Sequence, residues 1–570
     1  MTGALRLAVL LAFWLHLPLV FSGLYRYSFD SYVHMFFADH YVRDWWSLWE
    51  ARWYTGFTVT SYPPLVHQVI ALLTPALGLS RAFGVALLAM LVTFPIAVHS
   101  FARVFVSPRA AGFTALAAVF LPSLSLAAYT FGQLPTLVST LLMLLAASRL
   151  ASFLRRGSWL ELALLAALVG AGAGAHHATT VFAVPIVFTA VALAVWLDTP
   201  RAFRLVPRRG LVAAVVVALV TLLVIAPFWI WQVGYRDQVP IDHLSRHNYL
   251  VDLSAQDLFF WAEFGVLPAA LIFALRGLRR RHLAPLSVAA IPLFALGLGG
   301  TTPVPSWLYG QRWAWLTYDR FALWAGLCLL PFVGLAADRL RPRFPEHRRL
   351  LSLGAVAIGT FFVSQAIVTI INAHLPLLRP FQPAPIDIRP VVQFLDEADH
   401  RRWRYLTLGF GEQMIHVTFS TAAQSVDGGY HTARTLPALQ ESGVGQLDYA
   451  LWWDPSGNAL RPFLAHPERY ALRWVFVNEA QYEPHLRRND WALFADLSNG
   501  VRVWHRPGIP AIDTVPAPYY APMLRVAWGT LPLAAMAASV VLWLVHARQA
   551  HPNWSPAGIG RRSLASVGAK

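Results

Sequence analysis

Apolar stretches of about 20 residues, the length a helix rising 1.5 Å per residue needs to cross a hydrocarbon core, recur along the whole chain. They lie near 5–24, 82–105, 111–128, 131–149, 159–175, 177–197, 211–232, 256–276, 283–300, 318–338, 349–372 and 523–546, so twelve crossings are predicted. Apolar residues make up 57% of the 570 positions and charged residues only 13%, about half the ~25% of a soluble domain, which excludes a soluble protein for most of the chain. The first stretch lacks a small-residue cleavage site before the aromatic segment that follows, and is read as a retained helix.

A formal charge of +16 would suit nucleic acid in a soluble chain. Here the basic residues, all arginine except Lys570, fall in alternate loops: Arg103 and Arg109, Arg155 and Arg156, Arg201 to Arg209, Arg276 to Arg281, Arg339 to Arg349, and Arg548 to Arg562. Basic loops stay cytoplasmic, so the charge is topological, both termini are expected inside, and no nucleic-acid partner is called for. The one cysteine, Cys328, allows neither an intramolecular disulfide nor a cysteine-based zinc site.

One more apolar run, PPLVHQVIALLTPALGL at 63–79, would reverse the alternation if it crossed. It is short and carries three prolines, so it is expected to lie along or dip into the outer leaflet, leaving 25–81 as one large outer loop. A kinked crossing is the alternative. Residues 373–522 regain polar composition between Pro-rich hinges and mix β-like runs (405–410, 474–477, 501–504) with a helical pattern at 391–398. The expected fold is therefore a polytopic α-helical membrane protein, with a membrane module at 1–372, an extracytoplasmic α/β or α+β domain at 373–522, and a final helix with cytoplasmic tail at 523–570.

Polar residues at the outer ends of the spans carry whatever chemistry there is. The first outer loop offers Asp30, His34, Asp39, His40, Arg43 and Asp44. Asp30 and His34 are four apart and share a helical face, a plausible acid/base pair, whereas Asp39 lies on the opposite face. The same segment equally suits an interfacial amphipathic helix in which Trp45, Trp46, Trp49 and Trp53 form an aromatic belt. The turn AYTFGQLPT adds Tyr129, Gly132 and Gln133, and GAHHATT adds His176 and His177, a pair that either binds an anion or is merely solvated. Tyr318, Asp319 and Arg320 open the tenth crossing, where Arg320 either holds a phosphate by paired hydrogen bonds or pairs with Asp319. Glu263 reads as a site residue or as a buried partner of Arg312 or Arg320. No Walker loop, GxGxxG, HExxH or GxSxG is present, so a pre-activated, lipid-linked substrate suits the chain better than nucleotide chemistry.

Asp30 soon after the first helix, the stretch WEARWYTGFTVTSYPPL, the amphipathic outer segment and a second crossing ending FARVF resemble the GT-C superfamily of integral-membrane glycosyltransferases. Within it, DSYVH, YPPL, FGQLP and GAHHATT are most similar to the bacterial membrane proteins labelled 6-pyruvoyl-tetrahydropterin synthase-related. The likeness covers roughly residues 1–340. It implies a glycosyltransferase of the bacterial cytoplasmic membrane that takes sugar from a polyprenyl phosphate to an envelope glycan, lipid or protein acceptor, with Asp30 as base and Asp39 as second choice. Tyr129, Gln133, His176, His177 and Arg320 would bind substrate. Metal-dependent members carry a further acidic pair in a later outer loop. YTFGQLPT has no acid, so no cofactor is expected. The soluble pterin enzyme's zinc site has no counterpart in these spacings. The rival class is a carrier of lipid-linked or small polar substrate, or an envelope-assembly partner. A carrier expects spans broken at mid-membrane and polar groups lining both halves.

Overall fold

The computed structural model describes residues 3–199, 204–340, 348–379, 382–397, 399–512 and 517–550. Arg201, most of the arginine-rich loop between Arg339 and Arg349, Ala398, and the tail with Arg561 and Arg562 lie outside the described residues. The chain is a multi-pass helical membrane protein with a mixed-sheet domain at one end of the bundle. Eight helices among the described residues are long and apolar enough to cross a membrane. Two more helix pairs are long and apolar enough only when taken together: Pro108–Val119 with Pro122–Thr130, bent by 47°, and Leu253–Phe264 with Leu267–Gly277, bent by 56°. The other two predicted crossings correspond to apolar helices of only 17 and 14 residues, Trp159–Ala175 and Ala284–Gly297.

Both breaks leave backbone groups that lipid cannot satisfy. One helix, Arg348–His374, supplies their partners. Asn372 Nδ2 donates to the carbonyls of Pro122 (3.0 Å) and Ala262 (2.6 Å), and Gln365 accepts from Val266 N (3.1 Å) while donating to Phe264 O (3.3 Å). These intramembrane amides therefore serve the backbone.

After the first crossing, α1 (Gly3–Phe21), the chain forms α2 (Ser31–Arg43), a minimal antiparallel pair β1 (Trp49–Glu50) and β2 (Phe57–Thr58), then α3 (Leu65–Leu77) and the crossing α4 (Leu79–Ala102). The 13 residues of α3 span about 20 Å, too short for a crossing, in keeping with a helix that leaves the alternation intact.

The domain carries four strands in the order β3 (Arg404–Leu408), β4 (Leu472–Val477), β6 (Arg502–His505), β5 (Ala492–Asp496). The β3–β4 pair is parallel and the other two are antiparallel. Three of these match the expected β-like runs. The fourth, β5, is an edge strand with mostly exposed side chains, and its short run lacks the apolar alternation that marks a strand in sequence.

Trp53 does not belong to an interfacial belt, whereas Trp46 of the same stretch stays exposed. Trp53 is fully buried, stacked at 3.6 Å on Phe36, and one apolar core joins Phe36, Trp53, Tyr54 and Phe57 to Ile415, Tyr405 and Trp474 of the domain. Hydrogen bonds sew the same seam: Tyr430 N to Tyr54 Oη (3.1 Å), Thr435 Oγ1 to Tyr54 O (2.9 Å) and Ser425 N to Arg52 O (2.8 Å). The last of these is a backbone contact. A shared core, more than the Pro-rich hinges, sets where the domain sits.

Candidate active site

Between the bundle and the domain lies one open cavity of about 1680 Å³. Its wall includes Asp30, His34, Gln133, His176, His177 and Arg320, brought together from four separate segments. Two other sequence candidates lie outside that wall. Tyr129 is buried, and its hydroxyl meets His16 Nδ1 at 3.0 Å, pinning the FGQLP turn to α1. Asp39 accepts from Arg43 Nε (2.7 Å) and Arg52 Nη1 (2.5 Å). Arg52 also grips Glu50 through Nε (2.8 Å) and Nη2 (2.7 Å), and Glu50 meets His40 Nδ1 at 2.9 Å. Asp39 is thus committed to an ion-pair network.

Asp30 is placed by the turn that the sequence singled out. Phe29 N and Asp30 N donate to the carbonyls of Thr130 (3.0 Å) and Phe131 (2.9 Å). Gly132, at φ +74°, allows the close approach, because a Cβ there would lie 2.4 Å from Ser28 Oγ. Asp30 precedes the first turn of α2 but does not cap it, leaving its carboxyl to the cavity. Burial pushes that carboxyl up to about 6; the Arg320 guanidinium opposes the rise and Asp319 adds to it. At neutral pH such a group is mostly ionised yet basic enough to take a proton.

Arg320 opens the helix Asp319–Arg339. It makes no ion pair among the described residues, and its Nε is buried without a hydrogen-bond partner. Its neighbour Asp319 accepts from Gln133 Nε2 at 2.8 Å and forms no ion pair with Arg320, which leaves the guanidinium to the cavity. Glu263 is buried outside the cavity wall, with no ion pair to Arg312 or Arg320.

The imidazoles are neutral. Burial, reinforced by Arg320, lowers His34 and His177 to about 3 and His176 well below its ordinary value. His176 Nδ1 accepts from Thr179 N (3.3 Å) and lies 2.8 Å from its hydroxyl, so the proton sits on Nε2. His34 Nδ1 meets His67 Nε2 at 3.1 Å, and Tyr62 packs on both rings.

Sequence reasoning missed His67 and Tyr62 on this side, and missed the domain's contribution of Glu412 and Tyr430 to the cavity wall. Glu412, like Asp30, precedes a helix without capping it (Gln413–Ser420), and burial together with Asp30 holds its carboxyl well above the usual range. His67 and Tyr62 stood within the quoted YPPL region. Nothing local marks Glu412.

Among solved structures, the chain is similar to the Archaeoglobus fulgidus oligosaccharyltransferase in its apo form, at 10% identity and TM-score 0.54 over 83% of this chain and 69% of that one. The same enzyme in complex with Zn and sulfate matches at 12% identity and TM-score 0.50, over 83% and 68%. ArnT from Cupriavidus metallidurans bound to undecaprenyl phosphate is 14% identical, with TM-score 0.49 over 89% and 99%. No protein-family model matches the sequence, and neither does any curated protein.

The fold is GT-C-like. On that fold the cavity lies where bundle and domain meet. Among the described residues, no three His, Cys, Asp or Glu side chains are grouped to hold a metal ion.

Proposed function

We propose that the protein is a membrane glycosyltransferase that moves a sugar from a polyprenyl-phosphate-type donor to an envelope acceptor at the outer face of the bacterial cytoplasmic membrane. The observation that carries this reading is the convergence, in one cavity of a GT-C-like fold, of an uncapped carboxyl near neutral pKa with an unpaired guanidinium. The resemblance of DSYVH, YPPL, FGQLP and GAHHATT to the 6-pyruvoyl-tetrahydropterin synthase-related membrane proteins supports it, since residues from each of these motifs lie in or beside that wall.

In this mechanism Asp30 takes the proton of an acceptor hydroxyl as its oxygen bonds to the sugar's C1. The bond from C1 to the phosphate oxygen breaks, and its electron pair leaves with the lipid phosphate. Arg320 meets the departing charge with paired hydrogen bonds, and His176 Nε2–H adds a neutral donor. Acceptors would enter beneath the domain, past Glu412 and Tyr430. Asp39 and Tyr129, given their partners, would act through the scaffold.

The two broken spans favour a second reading, a carrier of lipid-linked substrate. Against it, the amides at both breaks are spent on backbone groups and the cavity's charged groups gather at the domain end. Transfer from lipid-linked sugar by the reconstituted protein tests the choice: Asp30→Asn should lower the rate by about 10²–10⁴-fold. An unchanged rate would remove Asp30 as the base.

A further inference from the structure

A second part of the same cavity wall is built with equal care and belongs to none of the residues discussed so far. The segment DHLSRH, 242–247, forms a short turn (Leu244–Arg246) that presents His243 and Arg246 to the cavity. His243 Nδ1 accepts from Ser245 N (3.2 Å) and lies 2.8 Å from Ser245 Oγ. Ser245 Oγ in turn accepts from Tyr318 N (3.2 Å), which leaves its hydroxyl proton for His243 Nδ1. The imidazole is thereby fixed as the Nε2–H tautomer. Burial lowers its pKa to about 4, so at neutral pH it is a donor without charge.

The turn is locked from below. Tyr249 Oη donates to Ser245 O (3.0 Å), and His247 is held between Asp242 (2.9 Å) and Asp252 (2.7 Å). It also rests on Gly299 and Gly300 so closely that a Cβ at either would lie 1.9 Å from Ser245 O or 1.8 Å from Arg246 O. Arg246 Nη2 donates to Ile241 O, but the guanidinium makes no ion pair among the described residues, and its Nε is buried without a partner. The neighbouring carboxylate, Asp242, is taken by His247.

This unit repeats the construction of the first. Arg320 with His176, and Arg246 with His243, are each a guanidinium with an idle buried Nε beside an imidazole fixed as a neutral Nε2–H donor. All four side chains line the same cavity, so the two units face one space. Planar guanidinium with an added N–H donor matches the oxygens of one phosphoryl group, and two such units match two phosphoryl groups.

We infer that the cavity binds a lipid diphosphate, with Arg320 and His176 on one phosphoryl group and Arg246 and His243 on the other. This rests on the transferase reading above and narrows its donor to a sugar linked through a diphosphate. When C1 accepts the new oxygen, the electron pair of the broken C1–O bond then leaves on the lipid diphosphate, while the acceptor's proton goes to Asp30.

Binding of farnesyl phosphate, farnesyl diphosphate, inorganic phosphate and inorganic diphosphate to the full-length protein in nanodiscs tests the inference. The diphosphates should bind at least about tenfold tighter than the monophosphates, as expected for one more set of charged hydrogen bonds. Arg246→Gln should erase most of that advantage and leave monophosphate affinity within about twofold. His243→Asn should do the same while keeping a side-chain acceptor for Ser245 N, so that loss of the turn is not mistaken for loss of the ligand. Equal affinities would overturn the inference, as would two equivalents of monophosphate binding without a diphosphate preference, which would assign the second unit to a phosphorylated acceptor. A diphosphate preference without sugar turnover would instead defeat the transferase reading and leave the binding assignment standing.

Discussion

The two ends of α2 are built from the same residue types and do opposite things. At the N-terminal end, Asp30 and His34 face the cavity, and the Asp30 carboxyl neither caps its helix nor meets a cation in an ion pair. At the C-terminal end, Asp39, His40 and Arg43 join Glu50 and Arg52 in a network in which each charge meets an opposite one within 3 Å. Arg43 apart, both ends are largely shielded from solvent. What separates a reactive carboxyl from a structural one here is whether its partners are already spoken for, because an unpaired buried charge is costly and persists where a ligand completes it.

The contrast can be strained hardest at Arg52, which is 5% exposed and lies 4.5 Å over the Phe36 ring. Arg52→Ala leaves Glu50 and Asp39 without their shared cation and should cost about 3–5 kcal/mol in denaturant titrations of the purified protein, with turnover per folded molecule retained. A smaller stability loss is expected at Gly132→Ala, about 1–3 kcal/mol from the positive φ and the approach to Ser28, but here turnover should fall as well, because the turn holds the Asp30 backbone. A stability loss with full activity would detach that turn from the site.

The pH profile sharpens the cavity end. Asp30 must be ionised to act as base, so turnover should be flat above pH 7 and fall about tenfold per unit below about 6. Since Arg320 opposes the rise in the Asp30 pKa, Arg320→Gln should move that acid limb to higher pH, besides weakening donor binding. The smallest effect is expected at Tyr129→Phe, about 1 kcal/mol of stability for the lost bond to His16, with turnover per folded molecule unchanged.

Much of the architecture was legible because lipid imposes it. Span length picks out the helices long and apolar enough to cross, and the prolines of the 63–79 run match the short helix α3. Six of the eight candidate residues share the cavity for a related reason: each sits at the domain end of a crossing or in the outer loop that follows one. Asp39 and Tyr129 met the same criterion, and what sets them apart is a partner that spacing does not reveal. Arg52 is 13 residues from Asp39 across a chain reversal, and His16 is 113 residues from Tyr129. Trp53 misled in the same way, since it reads as part of an aromatic belt but is buried with a domain more than 300 residues downstream. Glu412, His243 and Arg246 lie in polar segments whose residues became a site only through the seam between domain and bundle.

The most direct test sets Asp30→Asn beside Asp39→Asn in one reconstituted preparation, measuring thermal stability and sugar transfer per folded molecule for both. The expected result is a crossed pattern: Asp30→Asn keeps its Tm and loses transfer by about 10²–10⁴-fold, while Asp39→Asn loses Tm and keeps transfer. Transfer surviving in Asp30→Asn, or vanishing in folded Asp39→Asn, would contradict the assignment of reactivity to the uncommitted end of the helix.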